Sequence, residues 1–212
     1  MNEASHEFEQ ILGEASRHGI PTFSGAEIES FSKYFSLVRR WNDRLHLTTL
    51  SGPREFAERH VFESAFAAQC LLPDVGCVWD LGAGLGVPGI PFAILRPDLR
   101  VTLVEAQKNK AIFLKDAVAE LRLTQAEILN SRLETIETAG PDACVTARAL
   151  ERMESLLPEI LRIGSPGRQI LIFGGPNLLA ALRPLVSGSW NLIPRSLPFS
   201  EKRLVIDLRC FT

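Results

Sequence analysis

A short segment with four closely spaced glycines constrains the fold of this chain more than any other feature. The segment VWDLGAGLGVPG, residues 78–89, sets the glycines directly after an apolar run and just before the helical segment GIPFAILRP. Glycine permits tight turns and lets a bound ligand approach the main chain closely. In open α/β sheets the ligand lies beyond the carboxyl ends of the strands. The segment therefore predicts a strand–loop–helix unit that binds a ligand at its loop.

Short apolar runs alternate with helical segments after Pro73. Strands are predicted at CVWDL, VTLVEA, residues 126–129, DACVTARAL and residues 169–173. Helices are predicted at GIPFAILRP and at residues 108–123, 151–163 and 176–186. Strands that alternate with helices indicate a parallel sheet with both faces covered. The last two runs, SWNLIPRSLPF and KRLVIDLRC, have no long helix between them and predict an antiparallel hairpin at one end of the sheet.

The first 72 residues have helical patterns instead. Apolar positions recur at helical spacing in residues 3–18 and 26–45, and a third helix is expected to begin at Pro53. We therefore expect a helical extension over residues 1–72 and one compact ligand-binding domain over residues 73–212.

Composition excludes several classes of protein. A net charge of −2 argues against a protein that coats nucleic acid through its overall charge, although a local basic face could still contact RNA. The longest apolar runs fall short of the roughly 20 residues that span a bilayer. The acidic, polar start MNEASHEFEQ is not typical of a signal peptide. We therefore expect a cytoplasmic protein without membrane contact.

The cysteines and histidines show no metal-binding pattern. The four cysteines lie in or beside apolar stretches without CxxC spacing, and the four histidines are dispersed. Disulfide frameworks are typical of small secreted domains, so a chain of this size is expected to keep buried free thiols. We expect no metal site.

The spacing of the glycines narrows the kind of ligand. Gly82, Gly84 and Gly86 form a GxGxG pattern, whereas the dinucleotide fingerprint GxGxxG requires glycine where this chain has Val87. The GK[ST] sequence of a phosphate-binding P-loop is absent as well. Both phosphate-binding interpretations are weakened, and a nicotinamide dehydrogenase becomes a distant alternative. A tight turn that binds nothing is the structural alternative.

Two carboxylates follow the predicted strands at the same edge of the sheet. Asp80 lies at the end of the first strand, where it would repel a pyrophosphate but suits an ammonium or a sulfonium. Glu105 lies at the end of the second strand, where a carboxylate can accept hydrogen bonds from two ribose hydroxyls. The pattern favours S-adenosylmethionine, which carries all of these groups. A salt bridge from Glu105 to Lys108 or Lys110 is the structural alternative.

Several segments together resemble one protein family. They are WNDRLHLTTL (41–50), RHVFES (59–64), the long stretch 80–121, SRLE (131–134), VTARAL (145–150) and EKRLVIDL (201–208). In these segments the chain resembles the bacterial small-subunit ribosomal RNA guanine-N7 methyltransferases, also called glucose-inhibited division protein B. The resemblance implies a class I S-adenosylmethionine-dependent methyltransferase fold. This α/β fold is a Rossmann-like, mostly parallel seven-stranded sheet with an antiparallel terminal hairpin, here with an N-terminal helical extension.

The resemblance also implies an activity and a set of cofactor contacts. The activity is methyl transfer to guanine N7 in the decoding-region loop of small-subunit ribosomal RNA, with the RNA or the 30S particle as partner. The contacts are at Gly82 and Val87, at Leu133 and Glu134 beside the adenine, and at Arg148. Arg148 ends a predicted strand, and its planar donor fork would also suit an RNA phosphate. A surface salt bridge is its structural alternative.

The chain departs from the family pattern at three places. His46 stands where asparagine is usual, Phe62 and Glu63 replace leucine and aspartate, and Phe173 precedes Gly174 where lysine is usual. The last change lies at the expected substrate mouth. It leaves open a related methyltransferase with another nucleic-acid or small-molecule substrate, and a non-catalytic RNA-binding module.

The implied chemistry requires few catalytic groups. Guanine N7 is an exposed lone pair with no proton to remove, so alignment and electrostatics can carry the reaction without a strong general base. The sequence therefore identifies no catalytic residue. Cationic or ring side chains that could face RNA lie in the extension and the last hairpin, and a solvated charge is the alternative for each. They are Arg39, Arg40, Arg44, Arg59, His60, Lys202 and Arg203.

Overall fold

The protein is built around one seven-stranded sheet. The computed structural model describes residues 3–186, 188 and 190–210. The strands are β1 (Cys77–Leu81), β2 (Arg100–Val104), β3 (Ala126–Leu129), β4 (Ala143–Arg148), β5 (Gln169–Gly174), β6 (Trp190–Ser196) and β7 (Leu204–Cys210). Their order across the sheet is β3-β2-β1-β4-β5-β7-β6. The first five strands pair in parallel, and β7 is antiparallel to both β5 and β6. The predicted architecture is confirmed.

Eight α-helices flank this sheet in the described part of the chain. They are α1 (Glu3–Leu12), α2 (Gly25–Leu45), α3 (Pro53–Phe56), α4 (Glu63–Ala68), α5 (Gly89–Leu95), α6 (Lys108–Glu120), α7 (Met153–Gly164) and α8 (Pro176–Leu182). A π-helical segment, Ala57–Phe62, joins α3 to α4. An α-helix follows β1, β2 and β4 and leads to the next parallel strand, whereas only a 3-10 turn, Leu133–Thr135, lies between β3 and β4.

Several element boundaries differ from the sequence expectation. The helix predicted over residues 3–18 ends at Leu12, and a separate 3-10 turn follows before Gly19 adopts a left-handed conformation. The helix predicted over residues 176–186 ends at Leu182, because Pro184 has no amide to continue the hydrogen-bond ladder. The strand predicted over residues 189–199 has its first residue outside the described part of the chain, and β6 ends at Ser196, before the end of that predicted run.

The N-terminal helices share a hydrophobic core with one face of the sheet. Phe8 stacks on Phe35 with ring centroids 4.5 Å apart, and Phe56 packs 5.1 Å from Phe35. The same buried cluster continues into the sheet through Val78 and Leu103. Burial of each of these phenylalanine side chains contributes about 1.5–3 kcal/mol to the free energy of unfolding. The division at residues 72 and 73 stays a prediction.

The opposite face of the sheet is covered by α7 and α8. Leu157 and Ile160 of α7 and Leu182 of α8 are fully buried against Ile172 and Ile206 of the sheet. Both faces of the central strands therefore pack mainly apolar side chains, and Thr146, Gln169 and Asp207 are buried among them. The candidate site lies at the carboxyl ends of β1, β2, β4 and β5.

Candidate active site

The glycine loop turns sharply where β1 ends. Gly82, Gly84 and Gly86 all have positive φ angles, of 67°, 57° and 93°. At Gly86 a side chain is excluded for two reasons. Its Cβ would lie 2.4 Å from the Ile90 side chain, and the backbone has a left-handed conformation. At Gly84 a Cβ would meet no described atom closer than 3.8 Å, so the main chain faces open space there. An open, left-handed glycine backbone is what a ligand needs to approach the loop closely.

Glu105 fastens the glycine loop to the end of β2. Its side chain is buried, and Oε2 accepts a 2.9 Å hydrogen bond from the Gly84 amide while Oε1 accepts one of 2.7 Å from the Gln107 amide. In the described part of the chain it makes no ion pair with Lys108 or Lys110. Each carboxylate oxygen has a second lone pair, so Glu105 can still accept ligand hydroxyls.

Asp80 lies beneath the loop and not on its open side. The residue is 1% exposed, and its Oδ2 accepts a 2.9 Å hydrogen bond from the Gly89 amide at the start of α5. Its Oδ1 has no hydrogen-bond partner among the described residues. Burial raises the pKa of Asp80 to about 7, against the lowering effect of the Gly89 hydrogen bond. Asp80 thus connects β1 to α5, and its second carboxylate oxygen is buried without a hydrogen-bond partner among the described residues.

Two further residues support the loop, and neither was identified from the sequence. The hydroxyl of Tyr34 donates a 2.5 Å hydrogen bond to the Leu85 carbonyl, and the Asn130 amide donates one of 2.7 Å to the Glu105 carbonyl. Tyr34 lies in the apolar stripe of α2, so its pattern indicates only packing. Tyr34 is the single tyrosine of the chain. This was the one signal that the sequence offered, because a buried tyrosine hydroxyl requires a hydrogen-bond partner.

Leu133 and Glu134 lie on a 3-10 turn, Leu133–Thr135, that follows β3. Leu133 is buried in a cluster with Leu81 and Val104, whereas Glu134 is exposed. The turn begins three residues after Asn130, which holds the main chain at Glu105. Val87 is buried within the glycine loop.

A buried glutamate gathers three arginines at the ends of β4 and β7. Glu63 is 1% exposed and forms ion pairs with Arg59 at 3.2 Å, with Arg148 at 3.2 Å and with Arg203. Burial raises the pKa of Glu63, and the arginines limit the rise. We call these four residues the Glu63 cluster. Its formal charge is +2, so it has an excess of positive charge close to the open end of the sheet.

Arg148 is the most enclosed arginine of the Glu63 cluster. Its Nη2 also donates a 2.7 Å hydrogen bond to the Arg59 carbonyl, and its guanidinium lies 5.4 Å from the centre of the Phe173 ring. Nη1 is buried without a hydrogen-bond partner in the described part of the chain. Burial accordingly lowers the pKa of Arg148. A donor left unpaired beside two ion-paired arginines is suited to an anionic ligand group.

His60 is placed differently from the sequence expectation of an RNA-facing residue. It is 5% exposed, and its Nε2 lies 3.1 Å from the Thr48 hydroxyl. Burial and the charges of Arg148, Arg59 and Arg203 lower its pKa to about 3. His60 is therefore neutral near pH 7 and is enclosed, so it offers neither a charge nor a surface to RNA in this structure.

The remaining candidate RNA contacts lie in three places. Arg59 and Arg203 belong to the Glu63 cluster and share the Glu63 carboxylate with Arg148 at the end of β4. Arg39, Arg40 and Arg44 are exposed on α2, where Arg40 pairs with Glu120 at 2.8 Å. Lys202 is exposed before β7.

A cavity of about 990 Å³ opens beyond the ends of β4 and β5. Ala149, which follows Arg148, lines it together with Phe173 and Lys202. Since the Phe173 ring also contacts the Arg148 guanidinium, the cavity adjoins the Glu63 cluster. The sheet edge thus carries a glycine loop with carboxylates on one side and a cation-rimmed cavity on the other.

Neither a group of metal ligands nor a membrane-spanning helix is found among the described residues. Among residues 3–186, 188 and 190–210, no three or more histidine, cysteine or acidic side chains are grouped as metal ligands. Over the same residues, no helix is long and apolar enough to cross a membrane.

Comparison with known proteins agrees with the resemblance. A sequence model of the family described as rRNA small subunit methyltransferase G (GidB) matches residues 27–184. A relative of that name from Pelotomaculum thermopropionicum is 36% identical over 197 residues, which cover 86% of this chain and 82% of the relative. The chain belongs to this family.

A second relative with the family name comes from Stenotrophomonas maltophilia. It is 40% identical over 147 residues, and the match covers 68% of this chain and 66% of the relative, just under two thirds of its length.

Solved structures show the family fold independently of close sequence similarity. An rRNA methylase from Streptococcus thermophilus superposes with a TM-score of 0.55 at 16% identity, covering 70% of this chain and 94% of that one. A putative methyltransferase from Escherichia coli gives a TM-score of 0.55 at 18% identity, covering 71% and 87%. The predicted methyltransferase fold is confirmed by these neighbours.

Proposed function

We propose that this protein transfers a methyl group from S-adenosylmethionine to guanine N7 in small-subunit ribosomal RNA. The observation that carries the proposal is the open glycine backbone at Gly84, tied by its amide to the Glu105 carboxylate. This arrangement suits a ligand with a ribose diol, and family membership adds the reaction and the RNA. The substrate implies a cytoplasmic protein, with the RNA or the 30S particle as partner.

The residues at the edge of the sheet fit the cofactor in chemical character. Glu105 has lone pairs free for the ribose hydroxyls, and buried Leu133 offers an apolar contact to the adenine. The unpaired Nη1 of Arg148 suits the carboxylate of the methionine moiety, and Oδ1 of Asp80 favours a positive charge nearby. Gly82, Gly86, Val87 and Glu134 complete the proposed cofactor-binding set. When bound, the cofactor supplies an electrophilic methyl group on a sulfonium.

The remaining chemistry consists of alignment. Guanine N7 has no proton to lose, so no side chain has to act as a general base. The positive charge only moves from sulfur to N7, and so the site needs no new counter-charge. The protein's contribution is to hold the base in line with the methyl group and to exclude water. The positively charged Glu63 cluster would attract the RNA backbone toward this edge.

The test is transfer of a labelled methyl group to naked small-subunit RNA and to 30S particles. We expect label in 7-methylguanosine after digestion. A Glu105→Gln variant should bind S-adenosylhomocysteine about 10–100-fold more weakly, since it loses hydrogen bonds to a charged acceptor. Saturable cofactor binding with label in free nucleotides alone would favour the small-molecule alternative. RNA binding without cofactor binding would favour the non-catalytic module.

A further inference from the structure

The cavity beyond β4 and β5 has an apolar wall and a cationic rim. Phe173, Met153 and Leu178 contribute apolar side chains to its lining. Arg152 and Lys202 also line the cavity, one directly before α7 and the other shortly before β7. An apolar wall with a few charged groups at the rim is typical of a site for a ligand that is flat at one end and charged at the other.

The two rim cations are available for a ligand. Both side chains are exposed, and neither forms an ion pair or a side-chain hydrogen bond with any of the described residues. Only one acidic residue, Glu154, is found in the described lining. The rim therefore has a formal charge of +1 and attracts an anion.

The cavity adjoins Arg148 of the proposed cofactor-binding set. Ala149, the residue after Arg148, lines the cavity, and Phe173, which lines it as well, has its ring centre 5.4 Å from the Arg148 guanidinium. A ligand in the cavity is therefore next to the group that the cofactor would contact. Its volume of about 990 Å³ is ample for a nucleotide.

We propose that this cavity binds the target nucleotide after it leaves the RNA stack, with its base on the Phe173 wall and its flanking phosphates on Arg152 and Lys202. The inference rests on the proposed function and adds the residues that select an extruded nucleotide. A base that is modified outside the helical stack needs such a pocket, and its phosphates carry most of the affinity.

The phosphate contacts are tested by removing charge while keeping side-chain length. Arg152→Gln, Lys202→Gln and the double variant are compared with Lys115→Gln and Arg183→Gln, two exposed cations away from the cavity that form no ion pair with the described residues. The readout is affinity for naked small-subunit RNA as a function of salt. For single strands, each lost phosphate contact reduces the salt slope by about 0.7, which is about fivefold in affinity at 0.1 M salt. We expect the double variant to bind the RNA about 25-fold more weakly than the wild type, and the control variants to bind it with unchanged affinity.

The base pocket is tested by filling it. Asn177 lines the cavity from the first turn of α8, whereas Ala180 is exposed on the same helix outside the lining. We expect Asn177→Trp to lower RNA methylation at least tenfold, because the indole occupies the space of the base. Ala180→Trp should leave methylation unchanged. Titration with S-adenosylhomocysteine should give the wild-type affinity for both variants.

Each outcome bears on a different claim. If the wild type methylates RNA and the rim and cavity variants equal their controls, the nucleotide site is wrong and the proposed function stands. If the wild type binds the cofactor but neither binds nor methylates RNA, the proposed function fails and the nucleotide site fails with it. If Asn177→Trp also loses cofactor affinity, the cavity belongs to the cofactor and not to the RNA.

Discussion

At the level of single residues, the carboxylate of Glu63 organises the charges at the substrate side. It is the common partner of Arg59, Arg148 and Arg203, which come from three distant parts of the chain. Only the pair with Arg59 has helical spacing, so only that one was readable from the sequence. The contacts with Arg148 and Arg203 depend on how the strands are ordered, and no local pattern encodes them.

Replacing this carboxylate should destabilise the fold. In Glu63→Gln the buried Arg148 guanidinium loses its counter-charge, and removing one partner of a buried ion pair costs about 3–5 kcal/mol. Arg59 and Arg203 are partly exposed, so we expect the lower end of that range. Urea unfolding measures the effect. Glu120→Gln, which breaks an exposed pair with Arg40, is the control and should change stability by less than about 1 kcal/mol. Equal effects would contradict the role of Glu63.

The raised pKa of Asp80 determines the direction in which the stability of the fold changes with pH. Its pKa is about 7 in the folded protein and near the ordinary 3.8 when unfolded, because burial disfavours the charge. Between these values the folded state binds the proton more tightly, so Asp80 lowers stability as pH rises from about 4 to about 7. Asp80→Asn keeps an acceptor for the Gly89 amide and cannot ionise.

The measurement is unfolding free energy at pH 5 and pH 8 for wild type and variant. The stability of Asp80→Asn relative to wild type should improve as the pH is raised. A difference that stays constant, or that changes in the opposite direction, would contradict the raised pKa of Asp80 in the folded protein.

Among the secondary-structure elements, the turn between β6 and β7 carries both Lys202 and Arg203 and is anchored by an aromatic contact. The Phe199 ring lies 4.4 Å from the centre of the His18 ring and 5.7 Å from that of Phe62. Phe199 also has a φ of 60°, which is unfavourable for any residue except glycine. The contact thus holds the turn on the N-terminal helices at some conformational cost.

Two variants separate the contact from the strain. Phe199→Ala and Phe199→Gly both remove the ring, and each should lose about 1 kcal/mol of aromatic contact. The glycine variant relieves the left-handed strain and should be more stable than the alanine variant by up to about 1 kcal/mol. Thermal unfolding gives the comparison, and faster amide exchange in residues 197–203 of both variants would report the released turn. An alanine variant more stable than the glycine variant would contradict this account.

The elements themselves were largely predictable from the sequence. The alternation of apolar runs and helical segments gives the strands, and the glycine loop gives the binding edge, because both depend on local spacing. The π-helical segment Ala57–Phe62 was not predictable, since its apolar positions continue the helical pattern on both sides. That segment matters because Arg59 lies on it and Glu63 directly follows it, and the Arg59 carbonyl and the Glu63 carboxylate both contact Arg148 at the end of β4.

At the scale of the whole molecule, the N-terminal helices support the proposed binding site. Tyr34 of α2 holds the glycine loop at Leu85, and Glu63 of α4 holds Arg148 at the end of β4. These contacts join residues far apart in the chain, so the sequence indicated a separate extension and could not show that it contacts residues of the proposed site.

Residues 73–212 alone should therefore neither fold cooperatively nor bind the cofactor. Their separation from the helices would expose Val78, Leu103 and the rest of the shared cluster, and it would remove Tyr34 and Glu63. The check is urea unfolding of this fragment together with titration by S-adenosylhomocysteine, beside the full chain. Cooperative unfolding with wild-type affinity would show that the division at residues 72 and 73 separates two independent domains.

The most direct test of the central claim compares methyl transfer to two transcripts of small-subunit RNA whose guanine bases differ at one atom. One contains guanine, and the other contains 7-deazaguanine, in which a carbon replaces N7 and no lone pair is present. The account predicts that the protein transfers label from S-adenosylmethionine to the first transcript and not to the second. The affinity of the protein for S-adenosylhomocysteine should be the same in the presence of either transcript. Equal labelling of the two transcripts would contradict methylation at guanine N7.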